Sequence, residues 1–464
     1  MNVMQRAGTG CVGVGLGRFL LGVAGWTLAT TGLAQWKSQL EACAAAALSP
    51  EQRIEACTKA LQSEPLSAQD RAATYTNRGV AWKSKGDVEK AIQDYDRAIS
   101  SDPRFANAYN NRGAALGAKG DLDSAIANFN QAIGLDPRLA QAYSNRGAAL
   151  LSNGDPGAAI KDLDQAIRLE PQTGRNYVDR ASALEATGEL DKATADLTAA
   201  IRITPDREEL FLARGLLWDR QRNYTQSIAD YDEAIRINPK FAEAYNNRCN
   251  TWLIKEAYDQ AIADCGEAIR LDPKLAPAHF NRGVAWSIAA DYVKAMGEFD
   301  EAIRLDPQLA SAYKSRAALH FYQGQFASAQ SDLAQAARFR HGDPYVAIWR
   351  YLAQARAGQV ETAAQELAQS ATASGAGSGP WPAPIIDLYL GRGDPGLVFK
   401  SAQQGDAHAQ RDQQCEAAFY VGQWHMLHAE KGQAARFFEE AERNCRRSFS
   451  ESGGARAELE RISR

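Results

Sequence analysis

The sequence predicts an all-α protein, a right-handed superhelical solenoid of antiparallel helix pairs, on three observations. Arginine recurs every 34 residues, at Arg78, Arg112, Arg146, Arg180, Arg214, Arg248, Arg282 and Arg316. Proline keeps the same period at Pro103, Pro137, Pro171, Pro205, Pro239, Pro273 and Pro307. Between these markers apolar residues fall three and four apart, as with Leu122, Ile126, Phe129 and Ile133, which is the spacing of one helix face. A fixed period of this length means stacked supersecondary units, none of which can bury its apolar face alone.

The first element, residues 1–34, reads as a secretory signal. Arg6 and Arg18 precede an apolar run from Phe19, and Gly32-Leu33-Ala34 supplies a small-x-small cleavage pattern. The run is too short for a permanent membrane span, and Cys11 lies before it, where it is not placed to accept a lipid. Cleavage would leave a periplasmic chain starting at Gln35. Removing Arg6 and Arg18 takes the formal charge from −4 to −6, with no basic stripe suited to nucleic acid.

Residues 35–69 read as a helix pair broken at Leu48-Ser49-Pro50. Residues 70–341 hold eight repeats. In one of them, 107–118 and 122–135 favour helix, Gly120 can end the first and Asp121 cap the second. Asp136-Pro137 closes the unit, because proline disfavours helix at the residue before it. Gly79, Gly113, Gly147, Gly215 and Gly283 share one slot; glycine costs about 1 kcal/mol in a helix, so close packing is the reason for it. Each marker arginine is followed sixteen residues later by an acid or amide: Asp94, Asn128, Asp162, Asp196, Asp230, Asp264, Glu298 and Asp332. Folding the helices antiparallel brings the two slots to one height, which predicts a structural ladder of pairs. Residues 342–370 read as a divergent hairpin turning at Gly358-Gln359, and 371–379 as a flexible small-residue loop. Residues 380–464 form a helical tail, with a hairpin over 414–445 and an amphipathic helix over 448–462.

These units resemble the tetratricopeptide repeat, on Tyr109, Gly113, Leu116, Ala125, Phe129, Ala132 and Pro137 in a single period. One departure is systematic: the leucine slot of that pattern is arginine throughout. The tail carries a second resemblance, to NlpI-type periplasmic tetratricopeptide proteins, on Trp381, Ile386-Asp387-Leu388-Tyr389-Leu390-Gly391, Glu416, Phe419-Tyr420-Val421-Gly422, Phe449-Ser450-Glu451 and Ala457-Glu458-Leu459. That resemblance implies an envelope adaptor which brings peptidoglycan hydrolases to a protease, and which dimerises. This chain has many more repeats and lacks the lipid-acceptor cysteine of that family.

Six cysteines follow the leader: Cys43, Cys57, Cys249, Cys265, Cys415 and Cys445. An even number in an exported chain favours disulfides. Six cysteines allow 15 connectivities; pairing within each helical hairpin selects Cys43–Cys57, Cys249–Cys265 and Cys415–Cys445. Cys249 replaces the small glycine of its repeat and Cys265 the aromatic sixteen residues on. Buried free thiols are the alternative reading.

Chemistry-bearing motifs are nearly absent. There is no Gly-x-Ser-x-Gly elbow, phosphate loop or His-Glu-x-x-His. His425 and His428 lie near Cys415 and Cys445, but capping histidines beside a disulfide account for them, and neither metal nor cofactor is expected. A solenoid offers an extended concave surface, lined here by the first helix of each repeat. Its slots present Asn77, Asn110, Asn111, Asn145, Asn246, Asn247, Asn250 and Asn281, whose amides can both donate to and accept from a peptide backbone. The expected function is a non-catalytic exported scaffold for a protein or peptide partner, not an enzyme and without an integral membrane span once the signal is removed. The alternative is an enzyme or regulatory subunit with its chemistry in the tail.

Overall fold

The computed structural model describes residues 29–62, 66–374, 379–446 and 450–464. Residues 1–28 of the expected leader, 375–378 of the expected loop, and Phe449 lie outside them. The described residues form 25 helices and no strand, in two compact units, Met1–Leu217 and Trp218–Arg464.

The N-terminal pair is α1 (Ala29–Ala44) and α2 (Pro50–Gln62). Helix α1 starts upstream of the expected cleavage point and runs through it. Eight helix pairs follow. The first four are α3 (Ala68–Ser84) and α4 (Val88–Ser101), α5 (Ala106–Ala118) and α6 (Leu122–Leu135), α7 (Ala140–Ser152) and α8 (Pro156–Leu169), then α9 (Gly174–Ala186) and α10 (Leu190–Ile203). The next four are α11 (Glu208–Arg220) and α12 (Tyr224–Ile237), α13 (Ala242–Ile254) and α14 (Tyr258–Leu271), α15 (Ala276–Ile288) and α16 (Tyr292–Leu305), then α17 (Ala310–Tyr322) and α18 (Phe326–Phe339). Within each unit, a helix packs on its hairpin partner and on the first helix of the next pair.

The turn between paired helices is set by local chemistry. Asp87, Asp121, Asp155 and Asp291 each accept from the backbone amide three residues on, at 2.9–3.2 Å, which satisfies one orphan donor of the second helix. The residue before the cap takes the left-handed conformation, as at Gly120 with φ +88°, where glycine carries no steric penalty. In three repeats that slot is not glycine: Arg222, Glu256 and Ala290 hold φ of 60°, 59° and 61°. A left-handed L-residue costs roughly 1–2 kcal/mol, so Ala290→Gly should stabilise its hairpin by about 1 kcal/mol. An unchanged or lowered urea midpoint would contradict this.

Hairpin packing depends on the glycine slot. A Cβ at Gly79 would come within 2.5 Å of the Tyr95 ring, and at Gly113 or Gly283 within 2.7 Å of the Phe129 or Phe299 ring. The aromatic sits sixteen residues after the glycine and is buried between two buried alanines, as Ala125, Phe129 and Ala132 show.

That packing continues past the repeats, where the proline marker has gone but Arg350, 34 residues after Arg316, keeps the arginine slot and pairs with Glu366 sixteen residues on at 2.7 Å. In α19 (Pro344–Arg356) and α20 (Val360–Ser374), the buried trio is Ala363, Leu367 and Ala371, the last of them one residue later than in the repeats. Because α20 runs on to Ser374, the loop expected over 371–379 is helical in its first residues. In α23 (Ala407–Leu427) and α24 (Lys431–Asn444), the trio is Ala434, Phe438 and Ala441, and a Cβ at Gly422 would lie 2.6 Å from the Phe438 ring. Helix α23 begins seven residues before the expected 414, because Asp406 caps it by accepting from the amides of His408 and Ala409 at 3.0 and 2.8 Å. Two short helices, α21 (Ala383–Tyr389) and α22 (Pro395–Ser401), lead into it, and α25 (Ser450–Ser463) closes the chain.

Helix α25 folds back on α17, more than a hundred residues upstream. Tyr322 Oη donates to the Ser450 carbonyl at 2.5 Å, and Arg461 Nη2 donates to the carbonyls of Phe321 and Tyr322 at 3.3 and 3.0 Å. Buried Glu458 pairs with Arg356 at 2.6 Å. Close approach is possible because Gly454 faces the Phe419 ring, where a Cβ would stand 2.7 Å away.

All three cysteine pairs are joined within their hairpins, with Cα–Cα distances of 4.6 Å for Cys43–Cys57, 5.5 Å for Cys249–Cys265 and 4.9 Å for Cys415–Cys445. The middle pair occupies the glycine and aromatic slots. In an array stabilised by nearest neighbours, reducing one bridge should speed amide exchange mainly in its own hairpin. Equal acceleration across distant repeats would refute that, and non-reducing peptide mapping checks the pairing itself.

Candidate functional site

Each marker arginine points from a first helix into the space between two repeats. Arg180 is representative: Nε and Nη2 donate to Asp196 at 2.7 and 2.6 Å, and Nη1 donates to Asp164 of the preceding repeat at 2.6 Å. Its guanidinium also lies 5.8 Å from the Tyr177 ring centroid. The forward half of this contact was expected from the sequence and recurs at Arg78, Arg112, Arg146, Arg248, Arg282 and Arg316. The backward half was missed. Arg112 reaches Asp96, Arg146 reaches Asn130, Arg214 reaches Thr198, Arg248 reaches Asp232, and Arg316 reaches Asp300.

Arg282 differs, because the slot sixteen residues before it is Gly266, which has no side chain to accept. Its Nη2 donates to Glu298 at 2.5 Å, and Nδ1 of His279 lies 2.8 Å from the other carboxylate oxygen. Burial alone would raise the Glu298 carboxyl, but the hydrogen bonds from His279 and Arg282 hold it below the usual carboxylate range.

The asparagines proposed for the groove divide by burial. Asn77, Asn110, Asn246 and Asn281 are only 3%, 1%, 9% and 8% exposed. Asn145 Nδ2 donates to Asn110 Oδ1 at 2.9 Å and Asn281 Nδ2 to Asn246 Oδ1 at 3.0 Å, so these amides bridge consecutive first helices. Asn110 and Asn246 also donate to Asn111 and Asn247, both at 3.4 Å. Asn111, Asn145 and Asn247 are half-buried and Asn250 is exposed, leaving these four reachable from outside. In the first unit the same face carries charge. Burial pushes the Lys83 ammonium down, and so does Arg175 on the fourth first helix of the array.

The tail holds a buried polar cluster. Glu416 is 8% exposed, and its Oε2 accepts from Tyr345 Oη at 2.8 Å and Trp381 Nε1 at 2.6 Å. Burial, then the nearby Glu451 carboxylate, push Glu416 up to about 7. Glu451 accepts from Tyr420 Oη at 2.7 Å. Two histidines of the tail are engaged elsewhere, His425 with Glu430 at 2.5 Å and His428 with the Trp424 carbonyl at 2.8 Å, while His408 pairs with Asp412 at 3.2 Å. Among the described residues, no three His, Cys, Asp or Glu side chains gather as metal ligands, and no helix is long and apolar enough to cross a membrane.

Family models described as TPR repeat or tetratricopeptide repeat match residues 79–120, 115–154, 140–172, 174–207 and 212–276. These are tetratricopeptide repeats. The matched segments lie within the repeats from α3 to α15, and no enzymatic family is identified. Among solved structures, the chain is similar to MamA, at 25% identity over 35% of this chain and 96% of that one, with TM-score 0.34. It is also similar to a tetratricopeptide repeat protein of Parabacteroides merdae, at 19% identity over 54% and 98%, with TM-score 0.46. A third is YrrB, described as a TPR protein with an unusual peptide-binding site, at 24% identity over 41% and 96%, with TM-score 0.35. No curated protein sequence matches the chain. Tetratricopeptide arrays bind protein partners through the faces that their stacked helices present.

Proposed function

We propose that the chain is an exported, non-catalytic scaffold that holds a protein or peptide segment along the face of its first helices and organises enzymes of the cell envelope. The observation that carries this reading is the repeat array, whose first helices leave Asn111, Asn145, Asn247 and Asn250 open to a partner's backbone. Export is supported by the leader-like residues before Gln35 and by three cysteine pairs, which persist in oxidising compartments. The envelope assignment rests on the resemblance of the tail to NlpI-type proteins. Trp381, Glu416, Tyr420 and Glu451, four residues that carry it, belong to one buried cluster. That resemblance also favours dimerisation.

A photo-crosslinking residue at Asn250 or Asn111 should trap envelope proteins in living cells, and one at Gln131, exposed on a second helix, should not. Equal trapping from Gln131 would overturn the groove assignment. An intact Met1 on the cell-isolated protein would overturn cleavage of the leader.

A further inference from the structure

A cavity of about 120 Å³ lies where α25 folds against α15 and α17. On this measure a single water needs only ~10–15 Å³, so the space admits a small molecule. Part of its wall is first-helix face of the last two repeats, with Ser287, Lys314 and Ser315, and part is α25, with Ser452 and Arg456. The site therefore exists only because the C-terminal helix returns.

Its chemistry is one-sided. No Asp or Glu lines it, whereas two cationic side chains and several hydroxyls do. Lys314 stands in the slot that Asn110, Ser144 and Asn246 occupy in other repeats, so stacking does not require a cation there. Its ammonium rests 5.3 Å from the Tyr345 ring centroid, and no carboxylate pairs with it among the described residues. Arg456 has one acidic contact, Glu442 at 3.2 Å and half-exposed, which leaves further guanidinium donors. The opposite wall is aromatic, with Tyr292, Tyr322 and Trp349; the Tyr292 and Tyr322 ring centroids are 5.9 Å apart.

We propose that this cavity binds a small organic acid, its carboxylate held between Lys314 and Arg456 and its apolar group laid against Tyr292, Tyr322 and Trp349. Charge-assisted hydrogen bonds to a carboxylate supply orientation, and the aromatic wall supplies the apolar contact that such pockets use for affinity. The cavity takes in first-helix surface of the last two repeats, but none of the asparagines assigned above to a protein partner lines it, so the two readings are tested by different residues.

N-acetyl-L-leucine and its amide serve as probes, titrated by calorimetry into the full chain with intact cysteine pairs. The acid should bind saturably and the amide at least tenfold more weakly. Lys314→Asn restores the residue used in other repeats and so leaves stacking intact; it should weaken the acid at least tenfold, as should Arg456→Gln. Saturable binding of the acid that neither substitution weakens, or equal binding of acid and amide, would overturn the proposal, as would no binding of the acid at all. Inorganic phosphate binding as tightly as the acid would refute the role of the aromatic wall. Should Lys314→Asn unfold, Arg456→Gln decides alone, because Arg456 is half-exposed on its helix.

Discussion

Replacing Arg180 with methionine should destabilise the repeats around it by about 3 kcal/mol, the scale expected when one partner of a buried ion pair is removed. Asp196 would remain only 6% exposed with its two guanidinium bonds gone, and Asp164 would lose its link across the repeat boundary. Removing the other end gives a contrast. Asp164 is 39% exposed in its side chain, and exposed pairs contribute about 0–1 kcal/mol, so Asp164→Ala should cost little. Changing Arg180 to Met and Asp196 to Leu together should recover part of the loss, because no buried charge is then left unpaired. Urea midpoints, read with amide exchange in α9 and α10, test the series. A loss below 1 kcal/mol for Arg180→Met would show that water, and not the fold, supports these carboxylates.

Stability of the tail should fall as pH rises from about 4.5 to 7. Glu416 titrates near 7 when folded, against 4.5 as a free side chain, so the folded state holds a proton that the unfolded state has released. Folding then takes up a proton across this window, and stability declines through it by roughly 3 kcal/mol, at 1.36 kcal/mol per pH unit of displacement. Below the window both states are protonated and the contribution is complete; above it the loss is complete. The groups facing Glu416 are Tyr345, Trp381, Glu451 and Asp412, and none is a cation that would reverse the sign. Glu298 moves the other way, so its contribution fades only as pH drops below the ordinary carboxylate range. Glu416→Gln should flatten the slope and make the tail more stable than the parent at pH 8. Exchange in α23 that is equally protected at pH 5 and pH 8, after correction for intrinsic rates, would contradict this.

The repeat array is legible in the sequence because its markers are strictly periodic. Arginine, glycine, aromatic and proline each hold a fixed slot, and a 34-residue period aligns them without ambiguity. The middle cysteine pair was legible for the same reason, since Cys249 and Cys265 fall in two slots of one repeat, and the outer pairs because each sits within one hairpin. The backward half of the arginine contacts was also written there, in Asp96, Asn130, Asp164, Thr198, Asp232 and Asp300, but only stacking shows which neighbour a guanidinium reaches. The hairpin of α19–α20 keeps the arginine slot at Arg350, sixteen residues before Glu366, but lacks the closing proline, and that of α23–α24 keeps the alanine–aromatic–alanine register with neither marker, so the signals thinned while the packing persisted. The return of α25 onto α17 had no local signature at all. It depends on contacts across more than a hundred residues, where Gly453 and Gly454 let the expected helix approach the rings of Tyr322 and Phe419. Burial of Asn110 and Asn246 was hidden too, because an amide that bridges helices and one that greets a peptide look alike in sequence.

Gly266 has a consequence for how the array comes apart. In a linear array, stability is the sum of terms within repeats and terms between neighbours, and each arginine that reaches backward adds to the second kind. Between the repeat of α13–α14 and that of α15–α16 this term is missing, because Arg282 has no side chain behind it to hold. The side-chain link across this junction is carried instead by Asn281, whose Nδ2 donates to Asn246 Oδ1 at 3.0 Å. Asn281→Ala should therefore let the repeats on its two sides fray separately, which amide exchange in α14 and α15 would show.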